Sequence, residues 1–484
     1  MKTTMKLFYK CILLLSITST IGFAGATSDS VKVHAAYSML STDKTGETIL
    51  FARVIIDKNA TKCPSLISSS SIIEMSFRDN TFKFDVNVCE AIIPFEEEFV
   101  LSNSDVTIMA AKKSSSHILV YGDTGCHEND CNSSAEPFGT LSDIGANLTK
   151  PVDVILHMGD YNYRGNSGQI ELENKKFWTY DAGDGVPKDS SCELDSSYFS
   201  QNAIDSPKPD TWNNWWLDFF EPAKELLPKA PWVFARGNHG LCSRSGPGWF
   251  YFLGPGSNLD GAAVAQLSCP SQGSLLNPDS DVISHLKFVQ PYTINLNDLQ
   301  LIVMDTSNAC DYYAPDATTN LYKKQIEQSF KTIKDDVGTW LITHRPIWGV
   351  NEYNSKDYIL NKTLQTSLAQ TSIGKLPNAI DLVYSGHMHK FQTLTFFHAK
   401  VASQIILGNS GVKLDYSGVQ GEIPPFSINK KEVFGIEKSE FGFMDINYNS
   451  NGSWTSQLIK LDSSILANCD SSNPPAKSIC ILNK

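Results

Sequence analysis

The chain has 484 residues, 41% of them hydrophobic and 19% charged, with a formal net charge of −12. That apolar content excludes a wholly disordered chain, and the length suits roughly one to three domains. The acidic balance argues against a broad face for a nucleic-acid duplex, which needs clustered basic side chains. It leaves open a small phosphate ligand whose charge a bound metal offsets.

Lys2, Lys6 and Lys10 stand ahead of an apolar run over residues 11–23, and Ala24-Gly25-Ala26 follows as the small-x-small pattern of a signal-peptidase site. The run is short for a membrane span and diluted by serine and threonine, and no later stretch of about 18 apolar residues occurs. Residues 1–26 therefore read as a signal peptide cleaved near Ala26. The remainder reads as a secreted or periplasmic protein with no stable membrane span. Cys11 falls in the leader, which leaves an even number of the 11 cysteines for an oxidising compartment. Local pairings are Cys63–Cys89, Cys126–Cys131, Cys242–Cys269 and Cys469–Cys480, with Cys192 left for Cys310. The absence of a Cys-x-x-Cys pair argues against a zinc ribbon or a thioredoxin-like motif.

Residues 27–112 read as a small β-rich N-terminal domain, with strands expected over 48–56, 71–77 and 82–88. A polar break at 114–116 marks the boundary, and residues 113–484 form the main domain. There, short apolar runs end in small polar clusters. Residues 118–121 lead into Gly122-Asp123, 152–156 into Gly159-Asp160, and 232–235 into Gly237-Asn238-His239. Further on, 301–304 lead into Asp305-Thr306, 340–342 into Thr343-His344, and 380–384 into Gly386-His387. Bounded apolar runs of this length suit buried strands.

Helical patterns lie between them. Trp212, Trp215, Trp216, Phe219, Phe220, Ala223, Leu226 and Leu227 fall on one helical face, which Pro222 should kink or divide. Tyr322, Ile326, Phe330, Ile333 and Val337 mark a second amphipathic helix. Residues 440–461 suit a hairpin turning at Asn451-Gly452. Strands alternating with helices give an α/β core.

Asp123, Asp160, Tyr163, Asn238, His239, His344, His387 and His389 all follow expected strand ends. Ligands bind beyond the carboxyl ends of strands in open α/β sheets, so these residues can meet at one edge. Leaving His239 aside, two carboxylates, an amide oxygen, three imidazoles and a phenol suit hard or borderline metals bound through oxygen and nitrogen. Seven donors exceed what one ion with open positions takes. If one carboxylate bridges, two ions receive four protein ligands each, an arrangement that clamps a phosphoryl group.

The ordered series Gly122-Asp123, Gly159-Asp160, Gly237-Asn238-His239, His344 and Gly386-His387-Met388-His389 resembles the calcineurin-like metallophosphoesterases over about residues 115–420. The resemblance implies a two-sheet β sandwich flanked by helices, with a dimetal site at one sheet edge. Two departures narrow it. Asp123-Thr124-Gly125 stands where the superfamily has Asp-x-His, and Tyr163 lies three residues after Asp160. That tyrosine is the purple acid phosphatase pattern, in which a phenolate takes the missing histidine's place. Thr343-His344-Arg345-Pro346-Ile347-Trp348 is similar to a further motif of that family. The stretch from Gly122 to His239 also looks like secreted bacterial phosphoesterases of this group.

Carried over by motif, one metal takes Asp123, Asp160, Tyr163 and His389. The other takes Asp160, Asn238, His344 and His387, with Asp160 bridging. The first metal is expected to be Fe(III), which a phenolate favours, and the second Fe, Zn or Mn. His239 is the expected catalytic residue, binding phosphate or protonating the leaving group. Gly240 stands where the family often has an acidic partner for that histidine. The family also has a histidine after the fourth motif, where this chain has Glu352-Tyr353-Asn354, so Tyr353 is a candidate substitute donor. Arg236 and Arg345 flank two motifs. Either suits phosphate or a supporting ion pair, and Arg345 joins His239 and Tyr353 as a candidate substrate-binding residue.

The expected function is that of a secreted dimetal phosphoesterase hydrolysing small phosphate monoesters by attack of a metal-bound hydroxide. One alternative is a phosphodiesterase acting on nucleotide or phospholipid-type diesters. Another, of a different class, is a metal-containing binding or adhesion module without turnover. The long insertion 164–211 is expected to shape the site. Sequence leaves substrate identity and oligomeric state open.

Overall fold

A computed structural model describes residues 32–79, 84–126, 137–164, 210–241, 244–269, 288–334, 337–351, 359–397, 401–416, 419–471 and 479–483. The expected signal peptide, most of the insertion 164–211, Tyr353, Cys131, Cys192 and Cys242 lie outside these residues. Two large sheets dominate, of 11 and eight strands among the described residues.

The first sheet is built around parallel neighbours His117–Tyr121, Val154–His157, Trp232–Phe234 and Val33–Thr42. Antiparallel strands extend it on both sides. Gly442–Tyr448, Trp454–Lys460, Ile465–Asp470 and Cys480–Leu482 lie beyond His117–Tyr121. Thr48–Asp57, Val86–Ile93 and Ser76–Phe77 lie beyond Val33–Thr42. The second sheet has its own parallel core of Leu299–Val303, Gly338–Ile342, Ile380–Ser385 and Ser403–Leu407.

One hydrophobic core joins the facing sheets. Trp340 of the second sheet packs edge-on against Tyr448 and Trp454 of the first, at 5.5 and 6.2 Å between centroids. Ile342, Tyr384 and Leu407 bury into the same core as Val120, Leu156 and Phe443. Helices cover the outer faces. Tyr322 and Ile326 of Asp316–Phe330, and Leu364 and Leu368 of Lys362–Ala369, bury against Ile302, Leu341 and Val383 of the second sheet. Phe138 of the helix Pro137–Ala146 meets Tyr121 at 5.9 Å on the first. This is the expected two-sheet sandwich flanked by helices. No described helix is long and apolar enough to cross a membrane.

The tryptophan stripe is buried as its periodicity requires, but the helix carrying it is irregular. An α-helical turn, Trp212–Trp215, passes into a π-helical turn, Trp216–Phe220, closed by Glu221 N–H donating to Trp216 O at 2.8 Å. Pro222 has no N–H to continue the ladder, and turns follow. Leu226 and Leu227 nevertheless stay buried. The hairpin forms as expected from Gly442–Tyr448 and Trp454–Lys460, with Gly452 at φ 82°.

The N-terminal region is β-rich, but a boundary at residue 112 does not separate two cores. Val33–Thr42 pairs in parallel with Trp232–Phe234, Met39 opposite Trp232, and Tyr37, Met39 and Phe51 join the common core. A pairing across nearly 200 positions leaves no local signal in the sequence. A small four-stranded sheet, Ile72–Glu74, Ser65–Ile67, Phe99–Leu101 and Thr107–Ile108, is separate in its strand pairing, but Leu66, Phe99, Leu101 and Ile108 bury into the same core. The expected strand over 71–77 is split, Ile72–Glu74 joining this sheet and Ser76–Phe77 the large one.

Cys63–Cys89 and Cys469–Cys480 are disulfides as expected, with Cα separations of 5.7 and 4.0 Å. Cys126, Cys269 and Cys310 are also disulfide-bonded.

A buried charge network ties the N-terminal strands to the main chain of the π-helical turn Trp249–Leu253 and the residues just after it. Glu90 pairs with Arg53 at 3.3 Å and with Arg78, and Ser257 donates to its other oxygen at 2.8 Å. Arg53 also donates to Phe252 O at 2.8 Å, and Arg78 to Tyr251 O at 3.1 Å and Gly256 O at 2.7 Å. Burial works to raise the Glu90 carboxyl, yet Arg78 and Arg53 hold it below its usual value. Burial pushes Arg78 down to about 10.

Removing one partner of a buried pair costs about 3–5 kcal/mol, because the other charges stay buried and uncompensated. Glu90→Gln should therefore lower stability at pH 7 by that order, read by denaturant unfolding. A carboxylate with a depressed pKa stabilises above its unfolded value and loses that contribution as pH falls through the folded one. The gap between wild type and variant should accordingly narrow below about pH 4, near the unfolded carboxylate range.

Candidate metal centre

Three parallel strands of the first sheet and two of the second deliver the expected residues at their carboxyl ends. Asp123 follows His117–Tyr121, Asp160 follows Val154–His157, and Asn238 and His239 follow Trp232–Phe234 in a short 3₁₀ turn. His344 follows Gly338–Ile342, and His387 and His389 follow Ile380–Ser385. Backbone hydrogen bonds continue past the strand ends, from Asp123 N to Gly159 O at 2.9 Å and from Gly386 N to His344 O at 3.0 Å.

Three of these residues turn through the left-handed region that side chains rarely adopt: Asp123 at φ 55°, Asp160 at 58° and His387 at 71°. Such backbone persists only where its surroundings over-determine it, and it concentrates at functional sites. Here the carboxylates themselves hold it. Asp123 Oδ2 accepts from His387 N at 2.9 Å, and Asp160 Oδ1 accepts from His239 N at 2.8 Å. Gly237 and Gly386 lie so close to Asp160 and Asp123, respectively, that a Cβ on either would collide with a carboxylate oxygen.

Each aspartate thus spends one oxygen on a backbone amide and presents the other. Asp123 Oδ1 lies 3.1 Å from the Tyr163 hydroxyl and 3.7 Å from His389 Nε2. Asp160 Oδ2 lies 3.2 Å from His344 Nε2 and 3.4 Å from the same hydroxyl. Tyr163 OH is 3.2 Å from His389 Nε2, and Asn238 Oδ1 is 2.9 Å from His344 Nε2. The His344 and His387 rings stand 5.3 Å apart, edge to face. Ligand atoms of Asp160, His344 and His387 all lie within 4.8 Å of one another. Asp160 therefore sits between Asp123, Tyr163 and His389 on one side and Asn238, His344 and His387 on the other.

The donor chemistry fits cations. His344 Nδ1 is 2.7 Å from Met158 O, which can only accept, so the ring proton lies there. His344 Nε2 then faces Asp160 Oδ2 and Asn238 Oδ1 as a third acceptor, an arrangement that a metal ion or an extra proton must bridge. Burial pushes the Asp123 carboxyl well up, and the Asp160 charge adds to it. Burial, with Asp123 and Asp160, also drives the Tyr163 phenol well above its usual value. Asp160 is held well below the carboxylate range because His344 and His239 outweigh its burial. Metal binding displaces ligand protons, and Asp123 and Tyr163 are the groups that hold them.

His239 packs its ring on Tyr163 at 4.0 Å, and its Nε2 meets Arg244 Nη1 at 2.8 Å. A guanidinium only donates, so the imidazole proton belongs on Nδ1. Where the resemblance led to an acidic partner at position 240, this chain brings a cation. Arg345, expected at phosphate, is buried and pairs with Asp311 at 2.5 Å. Arg236 is likewise internal, bonded to Gly240 O at 2.8 Å and Asp305 at 3.2 Å. His157 is buried and bonds Thr124 at 2.9 Å, and Tyr161 stacks on it while donating to Ala235 O. Both are packing residues.

Sequence reasoning passed over four residues. Asp218, in the π-helical turn, accepts from Tyr163 N at 2.9 Å and pairs with Arg164. Asp415 accepts from His389 N at 3.1 Å. Arg244 and Asp311 touch His239 and His387. Asp218 falls off the apolar face of its helix, where the sequence gives it the look of an ordinary surface charge. The other three lie in loops with no motif around them.

A purple acid phosphatase isolated from yellow lupin (Lupinus luteus) seeds shares the fold, with a TM-score of 0.50 at 12% identity over 93% of this chain and 74% of that chain. No curated protein matches. The family model for calcineurin-like phosphoesterase matches residues 116–391, the span that carries every strand end of the site. The chain belongs to the calcineurin-like phosphoesterase family.

Proposed function

We propose that this phosphoesterase is a secreted dimetal enzyme that hydrolyses phosphate monoesters in the manner of a purple acid phosphatase. The observation that carries this reading is the Tyr163 hydroxyl, 3.1 Å from Asp123, 3.2 Å from His389 and 3.4 Å from Asp160. A phenol at the meeting point of those three donors favours a hard trivalent ion, so the pair is assigned as Fe(III) with Fe, Zn or Mn. Asp123, Tyr163 and His389 would hold the first ion, Asn238, His344 and His387 the second, and Asp160 both. When bound, the ions supply Lewis acidity to the phosphoryl group and acidify a water.

The remaining work falls to the chain. Backbone amides of His239 and His387 fix the two carboxylates, so the donors need little rearrangement as substrate arrives. Asp218 holds the Tyr163 backbone from the π-helical turn. His239, pinned between the Tyr163 ring and Arg244, keeps an N–H for a hydrogen bond to phosphate, and it would protonate the leaving alkoxide only where the Arg244 contact is released, a role typically worth about 10²–10⁴-fold. Secretion is supported by the N-terminal pattern and by the disulfides Cys63–Cys89 and Cys469–Cys480.

Asp160→Asn should abolish turnover and lower the content of both metals, measured by elemental analysis alongside activity. Full activity with full metal content would remove Asp160 from the bridging position. Hydrolysis of a chromogenic phosphate monoester should exceed that of the matching diester between pH 4 and 9, with the optimum on the acid side. Preference for the diester would move the substrate to nucleotide or phospholipid-type esters. Two bound metals with turnover of neither would instead favour a binding module.

A further inference from the structure

His387 Nε2 has two charged neighbours of opposite demands. Asp311 Oδ2 lies 2.8 Å away and Arg345 Nη1 2.9 Å away. A carboxylate only accepts and a guanidinium only donates, so a single ring nitrogen cannot satisfy both. The carboxylate settles the conflict, because Arg345 Nη1 also lies 2.5 Å from the same Oδ2. Asp311 Oδ2 receives both donors, the arginine N–H and the imidazole N–H.

Asp311 is itself fixed. Its Oδ1 accepts from Asn361 Nδ2 at 2.8 Å, and Asn361 caps the helix Lys362–Ala369 by accepting from Leu364 N at 2.9 Å. Lys362 N donates to the Asp311 carbonyl at 2.7 Å. Arg345 is anchored by its own N–H to Thr306 Oγ1 at 2.8 Å. Asp415 Oδ1 stands farther from His389 Nδ1, at 3.9 Å, and is half exposed.

We propose that Asp311 is a positioning residue for the second metal. By accepting from His387 Nε2 it fixes the ring in the Nε2–H form and leaves Nδ1 as the nitrogen with an available lone pair. Carboxylates behind ligating histidines orient the ring and raise its basicity, and their loss typically costs about 10–100-fold in metal affinity. Here the loss has a second consequence. Without the carboxylate, Arg345 would donate to Nε2, drive the proton to Nδ1 and disable the ligand.

The inference rests on the two-metal assignment, and one experiment separates the two. Holoenzyme is dialysed against graded EDTA, and metal per chain is measured by elemental analysis at each step. Wild type that never holds a second equivalent would sink the assignment itself. With two equivalents in wild type, Asp311→Asn should release the second at about 10–100-fold lower chelator while keeping the first, which also reports that the chain is folded. Asp311→Glu should restore retention in part. The double variant Asp311→Asn with Arg345→Met should hold the second metal better than Asp311→Asn alone, because the competing donor is gone. Arg345→Met alone should retain it within about threefold of wild type, and this variant keeps the test decisive if Asp311→Asn does not fold. Asp415→Asn should leave the second equivalent in place. Wild-type retention by Asp311→Asn, no gain in the double variant, or loss of the second metal in Arg345→Met would each overturn the proposal.

Discussion

Two carboxylates buried at one seam repel each other and must each be neutralised, and Asp123 and Asp160 meet that demand by dividing their oxygens. One oxygen of each accepts a backbone amide, and the other is left for what the site holds. The amide that serves Asp123 comes from His387 in the second sheet, and the one that serves Asp160 comes from His239 in the first. Each carboxylate is therefore a fastener that keeps one oxygen open to the site, and the left-handed backbone at Asp123, Asp160 and His387 goes with this double use.

The sandwich can be understood as the scaffold for that arrangement. Each sheet has a parallel core, and the carboxyl ends of both cores open at the same edge. Facing side chains such as Trp340, Tyr448 and Trp454 fill the space between the sheets, so the loops above have a rigid base. Support for the site then comes from outside the family's motif series. Asp218 reaches it from a π-helical turn, Asn361 from a helix cap and Met158 O from a strand extension.

The motifs were legible because each joins a buried strand to a turn, and both leave local marks: an apolar run, then glycine beside a ligand-type residue. Tyr163 was legible for a different reason, since a lost histidine and a gained phenol occur together. Asp311 and Arg244 were not, because a lone charged residue in a loop looks the same whether it faces solvent or a histidine. Arg345 was assigned to substrate on its place beside a motif, and only the fold shows that its side chain turns inward to Asp311. The alternation of strands and helices could be read from periodicity and the hairpin from its Asn451-Gly452 turn, whereas the two-sheet sandwich followed only from the family resemblance. The N-terminal boundary could not, because composition reports how a segment pairs within itself and says nothing of a partner strand nearly 200 residues away.

That interleaving bears on how the chain can be divided. A fragment beginning at residue 113 would contain every motif of the family, yet it would uncover one side of Trp232–Phe234, the strand that leads directly into Asn238 and His239. An unpaired edge of buried, aromatic strand is a template for association with other chains. The same cut would remove Arg53, Arg78 and Glu90, whose bonds hold the π-helical turn Trp249–Leu253 and Gly256 after it. The smallest unit with a sound catalytic edge therefore includes the N-terminal strands, and a trimmed enzyme that lacked them would be prone to aggregate although no ligand had been touched.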